Sequence, residues 1–165
     1  MSDEELYRPK SDFLVMVANE EILFDDSEFG RANLQRLIAL TGEADTSNRD
    51  WATMLLGHYG PNTEEVRTAL LRAAEDEDQY VRGEAIENLV DRDREKAVAL
   101  VKRELTGGFA TVPVLFAAIE LADPSLYSFL EPFGDPSEDS YLDGLAQDAL
   151  NACRPVKRDS STHSA

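Results

Sequence analysis

Apolar positions fall at helical spacing along nearly the whole chain, and their phase repeats. In residues 78–89, Asp-Gln-Tyr-Val-Arg-Gly-Glu-Ala-Ile-Glu-Asn-Leu, an acidic turn precedes Val81, Ala85, Ile86 and Leu89. Steps of three and four place these side chains on one face of a helix. Within that face an alanine is followed four positions later by a leucine. The same pair recurs at Ala52/Leu56, Ala117/Leu121 and Ala146/Leu150, and successive anchor alanines lie 33, 32 and 29 residues apart. The small side chain lets a neighbouring helix approach, and the leucine fills the space beside it.

A second amphipathic stretch precedes each anchor helix, at 32–40, 66–74, 97–105 and 126–133. The unit is therefore helix–turn–helix, four times over. Asn62 with Glu65 has the form of a capping box. Asp123-Pro124 offers a cap with proline at the first helical position, and Pro113 falls in the first turn of its helix. Gly42, Gly57, Gly107, Gly108 and Gly134 fall at predicted helix ends. No stretch alternates with period two, so no sheet is expected. Residues 11–24 read as one helix with an apolar C-terminal end, closing the array. Residues 154–165 are polar and aperiodic and read as a disordered tail. The chain thus divides into a lead and capping helix (1–30), the repeats (31–153) and the tail (154–165).

The pattern Asp78-x-x-Val81-Arg82-x-x-Ala85-Ile86-x-x-Leu89 resembles the second helix of a HEAT repeat, of the short bacterial kind also called lyase-type. Asp45-x-x-x-Arg49-x-x-Ala52-x-x-x-Leu56 is a partial copy, with Asn48 where valine is usual. The two later copies keep only the apolar skeleton, with Val114 and Asp143 at the arginine position. The resemblance covers about residues 30–152 and is strongest over 45–105. It implies an all-α, right-handed α-α superhelix: a HEAT-like solenoid of about four helix pairs plus an N-terminal capping helix. It also implies that the second helices line the concave side. Asp45, Arg49, Asp78 and Arg82 would then be structural, bonding to adjacent repeats. Physically, one helix pair cannot bury its apolar face alone, and stacking supplies the core.

Composition narrows the function. With 33 acidic and 16 basic residues the formal net charge is −17. That argues against nucleic acid and anionic lipid as partners, because phosphate binding needs a basic surface. A basic protein would be steered toward it. The single cysteine, Cys153, excludes an intrachain disulfide and a cysteine-based zinc site. The acidic N-terminus lacks a signal-peptide pattern, and no apolar run approaches the roughly 20 residues of a membrane span. A cytoplasmic location is expected.

Catalytic constellations are not evident. The two histidines, His58 and His163, form no HExxH, and no P-loop, GxGxxG or GxSxG is present. Glu75-Asp76-Glu77-Asp78 lacks the glycine and distant glutamate of an EF-hand, and reads as an acidic turn favouring the following helix N-terminus. A second acidic zone spans Glu131 to Asp143.

If the second helices line the concave side, positions beside each anchor face a partner. Trp51, Met54 and His58 would form an aromatic anchor beside the acidic Glu84, Glu87 and Asp91, a hot-spot composition with a steering rim. Phe116, Ile119 and Leu145 are expected in the core. The expectation is a non-catalytic module, with no cofactor and no metal, binding a basic protein partner through an acidic concave surface. An inhibitor or immunity protein is its concrete form. The alternative is an enzyme on the same repeats, such as a bilin-type lyase.

Overall fold

The computed structural model describes residues 8–156, and among these it holds nine α-helices and no strand. They are α1 (Asp12–Ala18), α2 (Glu28–Leu40), α3 (Thr46–Tyr59), α4 (Glu64–Ala73), α5 (Gln79–Leu89), α6 (Arg94–Thr106), α7 (Val112–Leu121), α8 (Tyr127–Leu130) and α9 (Ser140–Ala152). Short 3-10 turns, Pro124–Leu126 and Glu131–Phe133, flank α8. Residues 1–7 and 157–165, the latter holding most of the expected tail, lie outside the described residues.

The helices form two rows. α3, α5, α7 and α9 pack side by side, each on the next. α2, α4, α6 and α8 lie behind, each against its own successor. Within the outer row α2 makes little direct contact with α4, and α4 little with α6. A tight inner row and a splayed outer row make the inner face the concave one. The core lies between the rows. All four anchor alanines and their leucines are buried there, with Val66, Leu70, Val101 and Leu130 facing them from the outer row.

Small residues set how closely the inner helices approach. Gly57 lies inside α3 rather than at a helix end: a Cβ there would sit 1.9 Å from Cγ of Asn88 on α5. A Cβ on Gly83 would lie 2.8 Å from Cγ of Pro113, at the start of α7.

Polar groups along the turns stitch the repeats. Arg49 grips Asp76 of the next repeat with two bonds, Nε to Oδ2 at 2.7 Å and Nη2 to Oδ1 at 3.0 Å. Its Nη1 donates to the carbonyls of Glu43 and Ala44. Burial disfavours the Asp76 anion, but the Arg49 bonds and the Asp78 amide outweigh it, and its carboxyl sits below the ordinary value. Arg82 likewise holds the buried Glu104 on α6 and the carbonyls of Asp76 and Glu77. The aspartates bond mainly to their own helices, although Asp45 also accepts from Lys10. Asp45 accepts the Asn48 amide, and Asp78 accepts the amides of Tyr80 and Val81, each capping its own helix.

Two local expectations are corrected. The helix expected over 11–24 ends at Ala18; Glu20 takes a left-handed φ of 61°, and Ile22 to Phe24 follow as loop. Phe24 then stacks on Tyr59, with ring centroids 6.0 Å apart, so the apolar character of 22–24 serves loop packing. The capping box at Asn62 is also displaced by one residue. Thr63 caps α4 through the Val66 amide, while Asn62 accepts from Arg67.

α1 joins the inner row. It packs against α3, and at its start the amides of Lys10 and Ser11 both donate to Oδ1 of Asn48, at 2.8 and 3.0 Å. Beyond its end, Tyr59 donates to Glu20. The matching ends make α1 parallel to α3, as α3 is followed by α5. Asn48 departs from the repeat pattern because it receives this terminal helix.

Candidate functional site

Each inner helix leaves one stripe uncovered by its neighbours, at steps of four, three and four. On α3 it runs through Ser47, Trp51, Met54 and His58; on α5 through Tyr80, Glu84 and Glu87 to Asp91 just past the helix. On α7 it holds Val112, Phe116 and Ile119; on α9 the equivalent positions are Tyr141, Asp148 and Ala152, with Leu145 among them buried. The remaining faces of α5 carry its buried residues, Val81, Gly83, Ala85, Ile86 and Leu89. The six residues singled out in the sequence therefore lie on adjacent stripes of one concave face.

They differ in accessibility. His58 and Asp91 are exposed, while Trp51, Met54, Glu84 and Glu87 are half-buried. Trp51 and Met54 pack against the core along one side, so Trp51 is partly a packing residue. Phe116, expected in the core, is 38% exposed on the inner face. Leu145 is buried as expected, and Ile119 is half-buried.

The electrostatics of this face are one-sided. Glu84 lies on the part of α5 that faces α3, where burial first, then the nearby Asp50 and Glu87 charges, push its carboxyl up to about 7. Glu87 is raised as well, by burial and then by Glu120 of α7. No ion pair among the described residues reaches Glu84, Glu87, Asp91 or Glu120. His58, Glu87, Asp91 and Glu120 line a cleft of about 210 Å³ at the C-terminal edge of the row. Arg92 closes its floor, but its guanidinium is spent on carbonyls of Gly57, Gly60 and Asn88. Burial lowers the Arg92 pKa from its ordinary value. Sequence reading missed Asp50, Glu120 and Arg92. Glu120 sits one position off the stripe, and Arg92 lies past the helix end, where periodicity gives no signal.

Residues 34–108 match the family model described as HEAT repeats. That segment carries HEAT repeats. This fold is a common protein-interaction scaffold, and here its matched segment includes α3 and α5 with all six candidate residues. Among solved structures, the chain resembles the X-ray structure of the Escherichia coli protein YibA, a structural-genomics target. The two are 25% identical with a TM-score of 0.54, over 83% of this chain and 54% of that one. The chain thus spans about half of that protein's length. No curated protein matches its sequence.

A larger cleft, about 830 Å³, opens on the other side, where the splayed outer helices α2 and α4 end. Its charged floor is already occupied, since Arg49 is saturated by Asp76 and two carbonyls. Volume there follows from the splay of the outer row, and among the described residues the inner face holds the carboxylates without an ion pair. Among the described residues no His, Cys, Asp and Glu group is placed to hold a metal ion, and no helix is long and apolar enough to cross a membrane.

Proposed function

We propose that this chain is a non-catalytic binding module whose concave face receives a basic protein. One observation carries the reading: Glu84, Glu87 and Asp91 form an acidic stripe with no ion pair among the described residues, between two stripes bearing Trp51, Met54 and Phe116. Unpaired, partly desolvated carboxylates cost free energy in the isolated molecule. A cationic partner would relieve that cost and gain apolar contact on both sides. The net charge of −17 adds long-range steering toward such a partner. The concrete form is a cytoplasmic inhibitor or immunity protein that masks a basic toxin such as a nuclease.

The test is affinity capture from source cells. At low salt the chain should retain a basic protein, released by roughly 0.5 M salt, where the Debye length falls to a few ångströms. A chain with Glu84→Lys and Glu87→Lys should capture none of it while keeping its helical circular dichroism. Capture that is indifferent to both salt and these substitutions would sink the proposal.

A further inference from the structure

The inner face alternates from helix to helix. At the same two stripe positions α3 presents Trp51 and Met54, α5 presents Glu84 and Glu87, and α7 presents Phe116 and Ile119. On α9 the two positions are mixed, with Leu145 buried and Asp148 exposed. The order across α3, α5 and α7 is apolar, acidic, apolar. Packed helices lie about 8–10 Å apart, so each station is one helix diameter from the next. The stations form a ruler running across the helices.

A ruler of this kind selects a partner segment by spacing as well as charge. In an α-helix, positions seven apart lie on nearly one face and are separated by about 10.5 Å. An extended strand fits less well, because residues three apart match the distance but point to opposite sides. We infer that the concave face docks an amphipathic helix of the partner, laid across α3, α5 and α7. That helix presents an apolar, a cationic and an apolar side chain at heptad spacing, with its cation between Glu84 and Glu87 and its apolar residues against Trp51 and Phe116. The inference rests on the concave face being the binding surface, and adds the order in which that surface is read. Charge complementarity selects the central residue: among the described residues the carboxylates of α5 have no ion pair, and the flanking stations carry no cation. Arginine suits the site better than lysine, because its flat guanidinium can lie against an aromatic ring while bonding a carboxylate.

Two alanine-based helical peptides of identical composition test it. One carries arginine at the middle of three heptad-spaced positions and leucine at the outer two. In the other, the arginine is exchanged with one of the leucines. Binding is read by fluorescence anisotropy with labelled peptide and the full chain. The ordered peptide should bind at least tenfold more tightly than the permuted one. Glu84→Gln with Glu87→Gln should remove that preference, and Phe116→Ala, at an exposed position, should reduce it severalfold with helical content unchanged. Equal binding of both peptides, salt-sensitive and lost with Glu84→Gln/Glu87→Gln, would overturn the spacing rule while leaving the basic-partner reading in place. Binding of neither peptide would overturn both.

Discussion

Arg92 holds Gly57 of the preceding repeat by its carbonyl, with Nη2 donating at 2.8 Å. The same nitrogen reaches the Gly60 carbonyl at 2.9 Å, and Nη1 reaches the Asn88 carbonyl at 2.9 Å. These carbonyls lie at the C-terminal ends of α3 and α5, where the helix dipole is negative and acceptors lack intrahelical donors. Replacing Arg92 with leucine should cost about 2–3 kcal/mol, the range for hydrogen bonds from a charged donor whose acceptors stay behind. Lysine should recover less than half, because one ammonium cannot span both repeats. Urea denaturation with an unchanged slope is the check.

Gly57 offers a sharper test of the inner-row spacing. Gly57→Ala drives a methyl into Asn88, which must swing away and lose its bond from Nδ2 to the Glu84 carbonyl. A loss of about 1–3 kcal/mol is expected, the usual range for overpacking. In an Asn88→Ala background the same substitution should cost under about 1 kcal/mol, a coupling that a double-mutant cycle reads directly.

The acidic face predicts an unusual pH dependence. The Glu84 carboxyl is raised from its ordinary 4.5 to about 7, so the folded chain binds a proton that the unfolded chain releases. Its contribution is fully present below about pH 4.5 and is lost as pH rises through 7. Asp76 and Asp45 are shifted the other way, and their stabilisation disappears only in more acidic solution, as pH falls below the ordinary aspartate range. Stability should therefore decline between pH 5 and pH 8. Glu84→Gln should flatten that decline and raise stability at pH 8 by about 1–3 kcal/mol. Thermal melts across this range decide it, and an unchanged slope in the variant would refute the assignment to Glu84.

Two charged residues at helix starts should behave very differently. Asp78 accepts two backbone amides of α5, and Asp78→Ala should cost about 1 kcal/mol. Lys10 pairs with Asp45 across an exposed surface, and Lys10→Ala should change stability by less than about 0.5 kcal/mol. Paired chemical denaturation curves separate the two.

The repeat was legible because its determinants are local. Ala85 and Leu89 announce a buried face by spacing alone, and Arg82 announces a strut by its place in the pattern. The candidate stripe followed by the same arithmetic, since Trp51, Met54 and His58 are fixed relative to Ala52. Features set by distant neighbours were not legible. Gly57 looks like a helix terminator until Asn88 is seen against it. The buried Glu104 lies in α6 and is explained only by Arg82 reaching it from α5. Phe116 reads as core by hydrophobicity, yet it faces the concavity because α7 has no covering layer on that side. The loop after Ala18 brings Phe24 onto Tyr59, a contact no periodicity encodes.

α1 is gripped from one side of the inner row, by α3, whereas α5 is gripped from both. In a stack whose cohesion is carried by nearest-neighbour contacts, end units open at lower free energy than central ones. Amide hydrogen exchange should therefore run as a gradient along the chain, with the amides of α1 exchanging soonest and those of α5 surviving until the whole array unzips. The carboxylates of Glu84 and Glu87 sit on that slowest helix. The molecule can loosen at its N-terminal edge without blurring the spacing it holds out to a partner.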